Sequence, residues 1–154
     1  MDVPRGGRAP LDPILEESFD GWYLRHSKRV LPEVETVRAA KLSGEPVGFI
    51  MLKTLDPGIG YVYYIAVSKA NRRQGVARLL LRDSLERFKV AGLTEAFASV
   101  EGDNEPSERL FSAEGFTRTN LVEVSREHGA LRALNLYRLM VVVPGEILLH
   151  RTLK

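Results

Sequence analysis

The chain has 154 residues, near the size of one domain and enough to bury a core. Lys+Arg 22 against Asp+Glu 20 leaves a formal charge of +2, too balanced for bulk attraction to nucleic acid. The absence of cysteine excludes disulfides, thiolate metal ligands and acyl-cysteine chemistry, and no run approaches the ~18 apolar residues of a spanning helix, so a cytoplasmic protein without a membrane partner is expected.

Residues 1–10 lack an apolar h-region and read as a flexible basic arm, which leaves residues 11–154 as a single domain. Apolar residues at helical spacing from Leu11 to Val30, interrupted at Asp20-Gly21, predict two short helices, the second ended by Pro32. Alternation then predicts a strand over 34–40, the turn Ser43-Gly-Glu-Pro46, and a second strand over 47–53. Asp56-Pro-Gly-Ile-Gly60 is a dense turn signal before the β-branched and aromatic strand Tyr61–Val67. The helix that follows runs to Val90, with Ala77, Leu81, Leu85 and Phe88 on one face, and Gly92 ends it. Strand 94–100 comes next, and Pro106 fits the first turn of a short helix reaching Ala113. Two β-rich segments at 116–124 and 134–143 and a short edge strand at 146–152 complete the reading. The final segment, Val141 to Leu153, is read either as a dimerisation surface or as an ordinary sheet edge, so monomer and homodimer both stay open. The class is α/β in a mixed α+β arrangement, a mixed sheet with helices on both faces.

Between the strand ending at Val67 and its helix lies Arg72-Arg-Gln-Gly-Val-Ala77. The first N–H groups of a helix have no intrahelical acceptor and carry partial positive charge, so they bind anions. Gly75 and Ala77 let a diphosphate lie against the main chain, and Arg72 and Arg73 add guanidinium donors. A Walker sequence is absent, and Gly58-Ile-Gly60 lacks the third glycine and helix of a dinucleotide fingerprint.

The spacing Arg72-x-x-Gly75-x-Ala77 resembles the acyl-CoA signature Q/R-x-x-G-x-G/A of the GNAT N-acetyltransferase superfamily. A second block, Asn104-Glu-Pro-Ser-Glu-Arg-Leu-Phe-Ser-Ala-Glu-Gly-Phe116, is similar to that family's N-x-x-A-x-x-L-Y-x-x-x-G-F segment, with Asn104, Leu110, Gly115 and Phe116 in register. The resemblance covers about residues 12 to 143 and implies the GNAT fold, with a central sheet of about six to seven strands. It implies acetyl-CoA as co-substrate, held by Val67, Arg72, Arg73, Gln74, Gly75, Val76, Ala77 and Arg78, with Asn104 and Phe111 from the second block. No metal is expected, and three scattered histidines, with His128 in an exposed Ser125–Gly129 loop, do not make a metal site.

Acetyl transfer from a thioester to an amine needs a neutral amine, oxyanion stabilisation and a proton for the leaving thiolate. A lysine-like amine with pKa near ~10.4 is almost fully charged at pH 7, whereas an α-amine near ~8 is far less handicapped. The resemblance implies the main-chain N–H of Val67 as oxyanion donor, while the Val67 side chain reads as core packing. Ser99 stands where some ribosomal-protein N-acetyltransferases have glutamate, and Glu101, two residues on and so on the same strand face, is the alternative base. One of Tyr61, Tyr63 and Tyr64 is expected to line the acceptor cleft, and the sequence leaves open which. The motif tyrosine that commonly protonates the CoA thiolate is Phe111 here, so water or Ser112 would have to substitute.

Arg72-Arg-Gln-Gly-Val-Ala77 is close to the R-R-x-G-x-A form of protein N-terminal acetyltransferases, and Gly21-Trp-Tyr-Leu-Arg-His26 occupies the place of an aromatic, peptide-holding loop. Trp22 and Tyr23 are therefore candidate acceptor contacts, along with Tyr61 and Tyr63. The expected acceptor is a primary amine, with a peptide or protein N-terminus set against a small-molecule amine. A degenerate acyl-CoA sensor without efficient turnover and a nucleic-acid protein using Arg5, Arg8, Arg72 and Arg73 stay as alternatives.

Overall fold

The computed structural model describes residues 1–56, 58–140, 142 and 144–153. Of the expected features, Pro57 in the turn signal and Val141 and Val143 at the end of an expected strand lie outside the described residues. Contacts divide the chain into two units, Met1–Lys53 with Tyr64–Ser84, and Thr54–Tyr63 with Leu85–Lys154.

In the first unit, α1 (Asp12–Ser18) and α2 (Gly21–Val30) are the two expected helices. β1 (Thr36–Leu42) pairs antiparallel with β2 (Glu45–Asp56) from Thr36↔Leu52 to Leu42↔Glu45. Ser43 and Gly44 make the turn between them with φ of 52° and 83°. β3 (Ile59–Val67) and α3 (Val76–Val90) contribute residues to both units, as β2 does. The first ten residues differ from the flexible arm expected. The N–H of Val3 donates to Val37 at 2.8 Å and that of Ala39 donates to Met1 at 2.8 Å, which lays the N-terminus along β1. Arg8 is only 4% exposed and donates to the carbonyls of Leu31 and Val34 at 2.9 and 2.7 Å. Its charge thus satisfies carbonyls beyond the end of α2, a role invisible in composition.

In the second unit, the first half of β3 pairs parallel with β4 (Glu95–Glu101), the connection between them being α3. The short α4 (Glu105–Ala113) follows, with Asn104 as N-cap, then β5 (Thr117–Thr119). Two helices, α5 (Leu121–His128) and α6 (Ala130–Met140), take the end of the segment expected as a strand at 116–124 and the start of the one expected at 134–143. The β-branched content of this stretch misled the reading, because its buried residues recur at helical intervals. Val124, Ala133, Leu136 and Met140 join Ile59, Tyr61, Phe97 and Leu148 in one core cluster, while Val122 stays exposed. Asn120 starts α5 by accepting from the N–H of Glu123 at 3.0 Å, and Gly129, at φ 88°, ends it.

β6 (Glu146–Thr152) is the second correction: it is not an edge strand. Among the described residues six strands lie in the order β1-β2-β3-β4-β6-β5, so β6 is paired antiparallel on both sides, to β4 and to β5. Both faces of the second unit's strands are covered. Tyr61 enters the cluster with α5 and α6, while its neighbour Gly60 points the other way, where an added Cβ would lie 2.7–2.8 Å from the Phe88 ring of α3.

Candidate functional site

β3 ends at Val67, and a single 3-10 turn, Lys69–Asn71, precedes the bend into α3. Two residues of the bend are left-handed: Arg73 at φ 63° and Gly75 at φ 81°. The direction of a Cβ on Gly75 is open, with nothing within 4 Å. The N–H of Leu79 donates to the Gly75 carbonyl at 3.0 Å, and the N–H groups of a helix's first turn have no acceptor within the helix itself. An exposed ledge of main-chain donors without a side chain at its centre fits a diphosphate. β2 approaches this bend closely: a Cβ at Gly48 would lie 3.0 Å from Val76 Cγ1 and 3.1 Å from the Ala66 carbonyl.

Arg72, expected as a guanidinium donor to the cofactor, has protein partners in the structure. Its Nη2 donates to the Glu17 carbonyl at 2.7 Å and its Nε to the Val67 carbonyl at 3.2 Å, so the guanidinium clamps the turn to the end of α1. Lys69 adds a main-chain bond to the Glu17 carboxylate at 3.1 Å. Arg73, Gln74 and Arg78 are exposed on the same turn.

The first unit also assembles an aromatic group that the sequence only half disclosed. Trp22 stacks on His26 with centroids 4.7 Å apart and meets Tyr23 edge-on at 5.1 Å. The Nδ1 of His26 shares a hydrogen bond of 2.8 Å with the Tyr64 hydroxyl, and Phe19 meets the Tyr64 ring at 5.2 Å. Burial, with help from the Arg29 charge, lowers the His26 pKa and favours neutral imidazole. Helical spacing puts Trp22, Tyr23 and His26 on adjoining turns, but their meeting with Tyr64 is tertiary.

In the second unit, Tyr61 is 1% exposed, and its hydroxyl is bound to Ser99 Oγ at 2.7 Å and to the Met140 carbonyl at 3.2 Å. Burial drives its pKa well up. Tyr61, expected at an acceptor surface, is thus a core residue, and Ser99, expected as a base, is its hydrogen-bond partner. Tyr63 is half-buried, 5.5 Å from Tyr61 between ring centres, and burial followed by the Glu146 charge raises its pKa. β3 and β4 pair only as far as Val62↔Ala98, although both strands continue. Beyond that point Glu101 lies directly opposite Glu146 in the β4–β6 register. Residues so paired project to one side of the sheet, which gives two carboxylates and Tyr63 in one neighbourhood. Glu146 was missed because 146–152 was read as a sheet edge.

Asn104 is a helix cap: its Oδ1 accepts from the N–H of Ser107 at 3.3 Å. Phe111 is 4% exposed and packs edge-on against Phe116 at 5.1 Å, so its ring fills core space. His128 is the last residue of α5 rather than a loop residue, with Nε2 3.1 Å from Glu95 Oε1.

Residues 8–116 match the model of the acetyltransferase (GNAT) family. A mycothiol acetyltransferase of Thermomonospora curvata is 32% identical over 117 residues, covering 76% of this chain and 36% of that protein. The L-2,4-diaminobutyric acid acetyltransferase of Nocardia farcinica is 30% identical over 116 residues, covering 66% of this chain and 60% of that protein. The chain spans about a third of the length of the mycothiol acetyltransferases it matches. Among solved structures, the ribosomal-protein-S18-alanine N-acetyltransferase of Escherichia coli superposes with TM-score 0.74 at 13% identity, covering 100% of this chain and 92% of that one. The PaiA N-acetyltransferase of Thermoplasma acidophilum, in complex with coenzyme A, gives TM-score 0.73 at 11% identity, covering 99% and 96%.

Proposed function

Because the chain belongs to the acetyltransferase (GNAT) family, we propose that it transfers an acetyl group from acetyl-CoA to a primary amine by direct attack in a ternary complex. The observation that carries this reading is the bend at Arg73–Gly75, where left-handed backbone and an open Gly75 Cβ direction precede the donors of α3. Main-chain N–H groups of Gly75, Val76, Ala77 and Arg78 would hold the diphosphate, with Arg73 and Gln74 flanking it. Arg72 would act by fixing the bend through Glu17 and Val67. Asn104 would act by capping α4, and Phe111 by packing beneath it.

Acetyl-CoA supplies the activated thioester. The N–H of Val67 is the proposed oxyanion donor, and Glu101, facing Glu146, the proposed acceptor of the ammonium proton as the C–N bond forms and the C–S bond breaks. The acceptor we favour is a peptide α-amine. Trp22, 43% exposed beside Tyr23 and His26, offers flat apolar surface of the kind that holds a peptide backbone, and the lower pKa of an α-amine eases deprotonation. A second reading, an acyl-CoA binder with slow turnover, is favoured by one observation: the buried phenyl of Phe111 offers no proton to a thiolate.

Release of CoA thiol tests both readings and the choice of acceptor, with no background from a chain that lacks cysteine. Peptides with free α-amines should release it fastest from a panel that includes polyamines and aminoglycosides. Turnover confined to the polyamines or aminoglycosides would reject the peptide acceptor, and acetyl-CoA binding without release would select the binder. Gly75→Glu should raise the acetyl-CoA dissociation constant at least ~10-fold, about 1.4 kcal/mol, with the far-ultraviolet spectrum unchanged. Unchanged affinity would remove the bend from the site. Glu101→Gln should lower kcat by ~10²-fold or more at unchanged acetyl-CoA affinity. If Glu146→Gln gives that loss and Glu101→Gln does not, the two roles are exchanged.

A further inference from the structure

Away from the proposed acetyl-transfer residues, three elements of the second unit bring two carboxylates and two imidazoles together. Glu95 opens β4 and His150 lies on β6, where the register pairs Glu95 with Thr152 and Phe97 with His150. Glu95 and His150 are therefore diagonal neighbours on one face of an antiparallel pair. The last two residues of α5, Glu127 and His128, lie at the same place. His150 Nε2 is 2.8 Å and His128 Nε2 3.1 Å from the same oxygen, Glu95 Oε1. One ligand atom each from Glu95, Glu127 and His150 falls within 4.8 Å of the other two. The His150 ring is braced against Phe97, with centroids 4.8 Å apart.

We propose that Glu95, Glu127 and His150 form a binding site for a divalent transition-metal ion of the zinc class, with His128 holding the Glu95 carboxylate in place as a positioning residue. The donors suit the ion: imidazole nitrogen and carboxylate oxygen bind Zn²⁺ at ~2.0–2.2 Å. At tetrahedral angles that places ligand atoms ~3.4 Å apart, so His150 and Glu95 must separate slightly and Glu127 must move inward. Glu127 is exposed at the end of a helix and has room to do so, whereas the Glu95 and His150 side chains, both 16% exposed, need only that small separation. A His128 Nε2–H bonded to Glu95 is the usual outer support of a ligating carboxylate. The fourth position would be left to water, and the ion would tie α5 to β4 and β6.

The test uses the untagged full chain and the metals alone. Zn²⁺ titrated against a chromogenic chelator should bind with one equivalent and raise Tm, and Co²⁺ should give the intense visible bands of four-coordinate geometry. Glu127→Gln, at an exposed position that should not disturb folding, and His150→Gln should each raise the metal dissociation constant at least ~10-fold, and His128→Ala by ~10–100-fold. No stoichiometric binding by the unaltered chain, or binding that survives Glu127→Gln with the same affinity and Co²⁺ spectrum, would overturn the proposal.

Discussion

Phe111 stands where the family motif has a tyrosine, and the structure gives the substitution a packing role. Its ring is 4% exposed and lies edge-on to Phe116, where a phenol would have to bury its hydroxyl. An unpartnered hydroxyl costs about 1–3 kcal/mol on the scale of protein mutations. Phe111→Tyr should therefore lower Tm by several degrees in thermal denaturation while leaving acetyl-CoA affinity nearly intact. An unchanged Tm with faster CoA release would mean that the hydroxyl escapes the core and reaches the departing thiolate. Residue identities at Arg72, Gly75 and Asn104 were legible in the sequence, but their partners were not. Arg72 is engaged by carbonyls of Glu17 and Val67, and Ser99 by Tyr61, because side chains far apart in sequence meet there. The Glu101–Glu146 pair has the same cause, since it exists only through strand register.

At the level of elements, α3 shows how closely a helix can be seated on a strand. Gly60 leaves no room for a methyl group beside the Phe88 ring, so Gly60→Ala should overpack the contact and cost about 1–3 kcal/mol in urea denaturation. Phe88→Leu in that background should recover part of the loss. A Gly60→Ala variant as stable as the parent would show that the ring moves freely. Most elements were readable because their period and punctuation agreed. Leu81, Leu85 and Phe88 are buried as the helical stripe required, and Gly92, at φ 83°, ends that helix. Residues 121–124 and 134–140 fold as helix where their β-rich composition suggested strand, because their burial follows helical spacing. The caps Asn120 and Gly129 were the overlooked signal.

Across the whole chain, the titration of His26 links the aromatic group to stability. Its folded pKa lies below the ordinary 6.5, so the unfolded chain takes up the proton first. The contribution is complete above about pH 6.5 and is lost as pH falls below it. His26→Gln should flatten Tm against pH in that acidic range, and a slope identical to the parent's would assign the dependence elsewhere. Among the described residues no helix is long and apolar enough to cross a membrane. The family and the glycine-containing bend before α3 were legible in the sequence alone, because a turn followed by a helix start is written in consecutive residues. Where β6 inserts, what Tyr61 and Ser99 do, and how Glu95, Glu127, His128 and His150 meet were decided by the tertiary structure. Strand order and register bring together groups separated by tens of residues, and local periodicity carries no record of that.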